Sequence, residues 1–564
     1  MTILDGLNTS QTQAVTTVEG SVLVVAGPGT GKTHTIVRRI AYLVAQGIQP
    51  EHILAVTFTN RAAREMYERT YGLLGSRAQP IFIGTFHRLG LTLMEYVLGN
   101  EPLLLGRDEQ RDLIRSLTGC TLKKASQLVE KISRMKNCVE EYDRDLMELL
   151  SLYEAAKKDR SACDLDDLLI VPLQIMQEQL DSETFLFQYI MVDEYQDINP
   201  LQYQFIRALG RRTQNICAVG DADQSIYGFR GSHVENFLNF TKDFPGTQQI
   251  ILTNHYRSTE TILSASRHLI QHNCTRIDTT LMPVKERGVP ITILSLPDGS
   301  HEAFTIIEEI EKRMGGTSHY QLMQHKTPHN QGEVSYRFSD FAILVRTNMQ
   351  AAAIAQSLKT SGIPFQRIGR TINARNRELV NHLRHVLENP PETLTSDYIL
   401  KDIETYSHMP SEDTELLDNL FVVYHSLPPR EFIRTIIHEF MLRSSGDEFN
   451  STADVVTVST LHAAKGLEFM VVFIAGVEDG FIPYRTAREP IDIEEERRLF
   501  YVGMTRAREE LLILHARERF LYGERRMRTP SPFLNEIPEE YVHHIVVPGR
   551  IHKDKKPDQM ELFS

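Results

Sequence analysis

The stretch SVLVVAGPGTGKTHTIVRRIAYLV, Ser21 to Val44, decides the fold. Its apolar run, Val22 to Val25, reads as a buried strand, followed by a glycine-rich turn and an amphipathic helix. From Ala26 to Gly31, Lys32 and Thr33 the spacing fits a P-loop with alanine in the place of the first glycine. In that geometry backbone N–H groups and the helix dipole cradle phosphates. Ala26, Gly27, Pro28, Gly29, Thr30 and Gly31 would form the cradle. Lys32 would reach the β- and γ-phosphates, and the Thr33 hydroxyl would take Mg²⁺.

A second apolar run, Phe187 to Val192, leads into DEYQD, Asp193 to Asp197. Carboxylates at the end of a parallel strand suit metal and water handling in an open α/β sheet. Asp193 would join the Mg²⁺ shell and Glu194 would orient and deprotonate the attacking water. A third run, NICAVGD, opens VGDADQSIYGFRGS, Val219 to Ser232. There Gln224 can bond a γ-phosphate or the water, Tyr227 and Phe229 offer ring faces for bases, and Arg230 can take a nucleic-acid phosphate. Standing alone, those aromatics read equally well as core filler beside a turn.

Bulk properties set the frame. A chain of 564 residues is too long for one core and suggests about four compact units. Hydrophobic content of 41% and charged content of 24% are ordinary for a globular protein. No apolar run approaches the roughly 20 residues of a membrane helix, and the first residues lack a signal-peptide layout, so the expected location is cytoplasmic. Cys120, Cys138, Cys163, Cys217 and Cys274 never form a C-x-x-C pair, and reduced structural thiols are expected. The net charge of −13 argues against non-specific nucleic-acid binding but leaves room for a basic groove on an acidic body.

The ordered motifs resemble those of the superfamily 1A DNA helicases of the UvrD, Rep and PcrA group, from residue 7 to about residue 538. LNTSQTQAV resembles the Q motif, LAVTFTNRAAREM motif Ia, GTFHRLG motif Ib and VGDADQSIYGFRGS motif III. LTNHYRS resembles motif IV, DFAILVRTNMQ motif IVa, VSTLHAAKGLEF motif V and EEERRLFYVGMTRAREEL motif VI. The resemblance implies an ATP- and Mg²⁺-dependent helicase or translocase moving 3′→5′ on single-stranded DNA, in repair, replication restart or recombination control. It implies that Gln11 reads the adenine edge, Tyr256 stacks on adenine, Glu468 meets the ribose, and Arg257 and Arg506 act as arginine fingers from the second motor domain. For DNA it points to Phe58, Asn60, Thr85, Tyr227, Phe229, Arg230, Arg346, Asn348, His462 and Tyr522. The implied partners are single strands and single-strand/duplex junctions.

Three positions depart from the family pattern. Phe229 replaces a tryptophan, His255 an asparagine and Pro532 an arginine; the chain has no tryptophan at all.

The expected architecture is α/β, with two RecA-like parallel-sheet motor domains of the P-loop NTPase type, each interrupted by a mainly helical insertion. Residues 1–89 and 186–253 would form motor domain 1A, and 90–185 insertion 1B. Residues 254–373 and 451–550 would form motor domain 2A, with 374–450 a short insertion 2B and 551–564 a flexible tail. The polar stretch 315–338, with His319, His325 and His329, reads as a solvated loop. In the tail, Gln559, Leu562 and Phe563 form Q-x-x-L-F, resembling the peptide that docks on the bacterial sliding clamp. Other readings are a single-strand translocase that displaces proteins without robust unwinding, and a nucleotide-switched DNA-binding module. A helicase–nuclease subunit would need a further domain after Arg506 and is not expected.

Overall fold

The structure is a computed structural model of the whole chain. It describes all residues except 1–2, 99–102, 139–143, 179–186, 316–335, 370–373, 392–393, 407–416, 418–426, 443–446, 448, 486–490, 522 and 549–564. The three loop histidines, Tyr522 and the Q-x-x-L-F segment thus lie outside the described residues.

Six short strands build the first sheet: β1 (Val22–Ala26), β2 (Ile53–Thr57), β3 (Phe82–Thr85), β4 (Tyr189–Val192), β5 (Ile216–Gly220) and β6 (Gln248–Leu252). Their order is β3-β2-β4-β5-β1-β6, every pair parallel. Parallel strands need crossovers, and helices such as Lys32–Ala45, Asn60–Leu74 and Pro200–Thr213 supply them. Alternate residues feed two cores. Leu23, Val25, Leu54, Val56, Ile190 and Val192 pack on one face, while Val22, Val24, Ile53, Ala55, Tyr189 and Met191 pack on the other. Burial on both faces is why these strands read as unbroken apolar runs.

The second sheet contains β7 (Ile291–Asp298), β8 (Phe341–Val345), β9 (Phe365–Arg367), β10 (Val456–Thr460), β11 (Phe469–Ile474), β12 (Ala507–Leu521), β13 (Glu524–Met527) and β14 (Val542–Val546). The order is β9-β10-β8-β11-β12-β7-β14, all parallel, with β13 pairing antiparallel to β12. Both units are therefore α/β folds centred on a parallel sheet, as the sequence leads one to expect.

The chain divides into two compact units. One comprises residues 1–258, 273–286 and 368–451; the other comprises 259–272, 287–367 and 452–564. Residues 368–451, which interrupt the second sheet in sequence, group with the first. Their helices Ala374–Glu388, Ser396–Tyr406 and Pro429–Met441 share a core of Leu379, Leu383, Ile399, Ile403, Phe432 and Ile436. Arg384 ties this bundle to the other helical segment, pairing with Glu109 at 2.5 Å and donating to the Leu104 carbonyl at 2.6 Å. The described cysteines are all free thiols.

Candidate functional site

In an open parallel sheet, ligands gather beyond the carboxyl ends of the strands. The first unit places its predicted residues there. The turn after β1 carries Lys32 and Thr33, β4 runs into Asp193 and Glu194, and β5 runs into Asp221 and Gln224. Phe58 follows β2, and Thr85 ends β3.

The phosphate loop has the backbone its glycines permit. Gly29 and Gly31 take φ of 67° and 89°, a left-handed region that costs other residues. Space is closed as well: a Cβ on Gly27 would lie 2.7 Å from the Leu281 side chain, and one on Gly31 2.8 Å from Gln11 Nε2. Gln11 is buried and donates to the Thr30 carbonyl at 3.0 Å. Its other amide end accepts from Asn8 N–H at 3.1 Å, completing the cap of the helix Thr9–Thr16. Asn8 in turn donates to the Tyr256 hydroxyl at 2.9 Å. The two predicted adenine contacts are thus joined through Asn8, a residue that sequence reasoning missed because it looks like an ordinary N-cap.

Lys32 Nζ stands 3.7 Å from Glu194 Oε1 and 3.4 Å from the Ala26 carbonyl. Glu194 has a left-handed backbone, φ 51°, unusual for a residue with a side chain and costing about 1–3 kcal/mol. Its Oε2 accepts from Gln196 at 2.5 Å, and the Gln196 Oε1 accepts from Asp221 N–H at 3.0 Å. Gln224, buried, donates to Asp221 Oδ2 at 2.6 Å. Burial pushes the Asp221 carboxyl up, against the opposing charge of Lys32. Gln196 and Asp221 therefore join the DEYQD segment to motif III. A single sequence offers no signal for a side-chain-to-backbone bond between residues 25 positions apart. The Thr33 hydroxyl and the Asp193 carboxylate, an all-oxygen set, suit a hard cation such as Mg²⁺.

The aromatic residues of the next turn gather into one surface. Phe58 stacks on Tyr227 with centroids 4.9 Å apart, and Phe229 leans on Tyr227 at 6.0 Å. Arg230 lies over both rings, 5.1 and 5.5 Å from their centroids. Phe229 is 54% exposed, so it is not core filler. Asn60 is otherwise engaged, donating to the Leu442 carbonyl at 3.0 Å, while the backbone N–H of its neighbour Arg61 donates to Asp447 Oδ1 at 2.8 Å and the Arg61 guanidinium covers the Phe449 ring. Thr85 is buried, its hydroxyl turned to the Arg88 backbone N–H at 3.4 Å.

Residues predicted in the second sheet lie in the second unit. Arg346 and His462 follow the adjacent strands β8 and β10, whose ends are linked by Leu461 N–H to the Val345 carbonyl at 2.8 Å. Arg346 is paired with Glu496 at 2.7 Å and lies over the Tyr484 ring. Asn348, exposed, opens the helix Asn348–Thr360. Glu468 is exposed and 3.6 Å from Arg508. Arg506 is buried, donating to the Leu467 and Val502 carbonyls (3.1 and 2.9 Å) and to the Thr505 hydroxyl (3.1 Å). Arg257, expected with the second sheet, falls in the first unit: its Cβ would lie 2.7 Å from a Cβ on Gly29.

Comparison with known proteins agrees with this geometry. The UvrD/REP helicase N-terminal domain matches residues 7–112 and 109–245, and the UvrD-like helicase C-terminal domain matches 250–406 and 377–518. The chain is similar to proteins named ATP-dependent DNA helicase PcrA from Staphylococcus aureus (strain Mu50 / ATCC 700699), Bacillus subtilis (strain 168) and Leuconostoc citreum. Each is 30% identical, over 96% of this chain; the match covers 87% of the first two and 86% of the third. The Staphylococcus alignment runs over 662 positions against a chain of 564, so that relative carries segments this chain lacks. Among the described residues no helix is long and apolar enough to cross a membrane. With its phosphate loop, acidic strand end and ring-bearing turn on one sheet edge, the chain belongs to the UvrD/Rep/PcrA-like superfamily 1A helicases and is a DNA-dependent ATPase and helicase.

Proposed function

We propose that this protein uses ATP hydrolysis to move 3′→5′ along single-stranded DNA and to open duplex at single-strand junctions, in the cytoplasm, in repair, replication restart or recombination control. The observation that carries this reading is the β5 turn. Only Ser225 and Ile226 separate Gln224, bonded into the acidic cluster beside Lys32, from Tyr227, stacked in the exposed aromatic surface. A change in bonding at the γ-phosphate is thereby delivered to the rings that grip bases, because the turn is too short to absorb it.

Lys32 and Thr33 bind the phosphates in this reading, Thr33 and Asp193 would hold Mg²⁺, which would supply charge neutralisation there, and Glu194 takes the proton of the attacking water. Its strained backbone and its bond from Gln196 fix the carboxylate before substrate arrives. Arg257 and Arg506 stabilise the charge that develops on the transferred phosphoryl group. Gln11 and Tyr256 hold adenine, and Glu468 the ribose. Phe58, Thr85, Tyr227, Phe229, Arg230, Arg346, Asn348 and His462 contact DNA, with Asn60 doing so only after releasing Leu442.

A second reading has specific support. The long PcrA alignment and the shortness of the interval 374–450 favour a translocase that clears proteins from single strands with little unwinding. Strand displacement on 3′-tailed and 5′-tailed duplexes, run with DNA-stimulated ATPase, separates the readings. Unwinding of the 3′-tailed substrate supports the helicase; ATPase without unwinding of either favours the translocase. Stimulation absent altogether refutes both and leaves a nucleotide-switched binding module. Docking of Gln559, Leu562 and Phe563 on a sliding clamp is a separate part of the proposal, checked by clamp binding of the full chain against its Leu562→Ala/Phe563→Ala variant.

A further inference from the structure

Where the family pattern has asparagine, this chain has His255, and the structure buries it completely. Both ring nitrogens have partners. Nε2 lies 2.8 Å from the Ser258 backbone nitrogen, and Nδ1 lies 2.6 Å from the Pro28 carbonyl oxygen. A backbone N–H can only donate, so Nε2 is the acceptor. Nδ1 therefore carries the proton and donates to Pro28, which defines a neutral ring in one tautomer.

The next residue repeats the move. Tyr256 N–H donates to the Gly29 carbonyl at 2.9 Å. One dipeptide thus holds two consecutive carbonyls of the phosphate loop. In a trans peptide the carbonyl and the following N–H point in opposite directions. Drawing Pro28 O toward His255 turns the Gly29 N–H away from it, and drawing Gly29 O toward Tyr256 does the same for the Thr30 N–H. Such N–H groups are what an anion nest offers a phosphate. The imidazole is also packed close, since a Cβ on Gly29 would sit 2.9 Å from its Cε1. Buried and bonded at both nitrogens, the ring is held against the loop.

We propose that His255 is a positioning residue for ATP: through Nδ1–H it sets the peptide planes of the phosphate loop, while Nε2 holds the segment that carries Tyr256 and Arg257. This rests on the assignment of the phosphate loop to ATP, which wild-type nucleotide binding tests by itself.

Two variants of nearly equal shape isolate the Nδ1 bond. Asparagine places an amide N–H the same number of bonds from the backbone as Nδ1, whereas leucine places a methyl there. Both lose Nε2 itself as the acceptor of the Ser258 N–H bond. His255→Asn should keep affinity for ATP and ADP within about threefold of wild type, and His255→Leu should lose about tenfold or more. The melting temperatures of the two, measured without nucleotide, should fall by similar amounts. His255→Val, suited to the extended backbone at 254–255, serves as the donor-free variant if the leucine protein does not fold. Equal loss of affinity in the asparagine and donor-free proteins, or wild-type affinity in the donor-free one, overturns the proposal. Failure of the wild type to bind nucleotide would instead refute the assignment on which it rests.

Discussion

Phe58 and Tyr227 lie face to face, centroids 4.9 Å apart and ring planes 19° from parallel, although they come from turns after different strands. The pair fixes Tyr227 against the sheet, and Phe229 is the exposed ring beside it. Phe229→Ala should therefore weaken single-strand binding by about 1–3 kcal/mol and leave ATPase without DNA nearly unchanged. Fluorescence anisotropy with a labelled oligonucleotide measures the first and phosphate release the second. Phe229→Trp, with the larger ring, should tighten binding.

Gln224→Ala should do the opposite. Removing its 2.6 Å bond to Asp221 frees the acidic cluster from the turn, so DNA affinity should persist while stimulation of ATPase by DNA is lost. Matching profiles for the Gln224 and Phe229 variants would show that the turn does not couple two sites.

At the phosphate loop, Lys32→Ala should nearly abolish turnover, and Glu194→Gln should bind ATP without hydrolysing it. The glutamine keeps the shape beside Lys32 and an acceptor for Gln196, but cannot take a proton. Single-turnover hydrolysis against nucleotide affinity separates the two effects. Turnover at the wild-type rate in the glutamine protein would remove Glu194 from its role.

Arg506→Ala should lower DNA-stimulated turnover by about 10³–10⁵. Because its guanidinium also satisfies two buried carbonyls and a hydroxyl, the alanine protein should melt earlier as well. Arg506→Lys should recover part of the stability but little of the activity, since an ammonium cannot reproduce the planar fork. Recovery of both together would mark the residue as purely structural.

Acid should attack the first helical segment. Burial raises the Asp164 carboxyl, yet Lys136 and Lys157 outweigh it and hold the group down at about 2. The folded value is below the unfolded one, so the stabilisation is present above about pH 4 and lost as pH falls toward 2. Asp164→Asn leaves both buried ammonium groups short of a partner, at a cost of about 3–5 kcal/mol at pH 7. Urea denaturation at pH 7 and pH 2 should show that cost shrinking in acid; a constant difference would deny the ion pairs their role.

The strands of the first sheet were legible because burial on both faces writes them as apolar runs, and the phosphate loop because its glycines are fixed by φ and by close approach. The aromatic surface was legible only in its members: that Phe58 meets Tyr227 depends on β2 and β5 ending on the same edge, which no local pattern states. Asn60, Arg346 and Arg506 look like free contact groups in sequence, but the fold also engages them with Leu442, Glu496 and Leu467, far along the chain. The grouping of 368–451 with the first unit was likewise invisible, since Arg384 meets Glu109 across 275 positions.

The division of the chain has a topological result. Backbone passes between the units at 258/259, 272/273, 286/287, 367/368 and 451/452. No single cut releases either unit whole. A fragment ending at Ser258 would lack Leu281, which closes against Gly27, and the helices that hold Arg384 to Glu109. The two sheets are stitched rather than strung, and a protease that severs one crossing leaves four covalent threads still joining them.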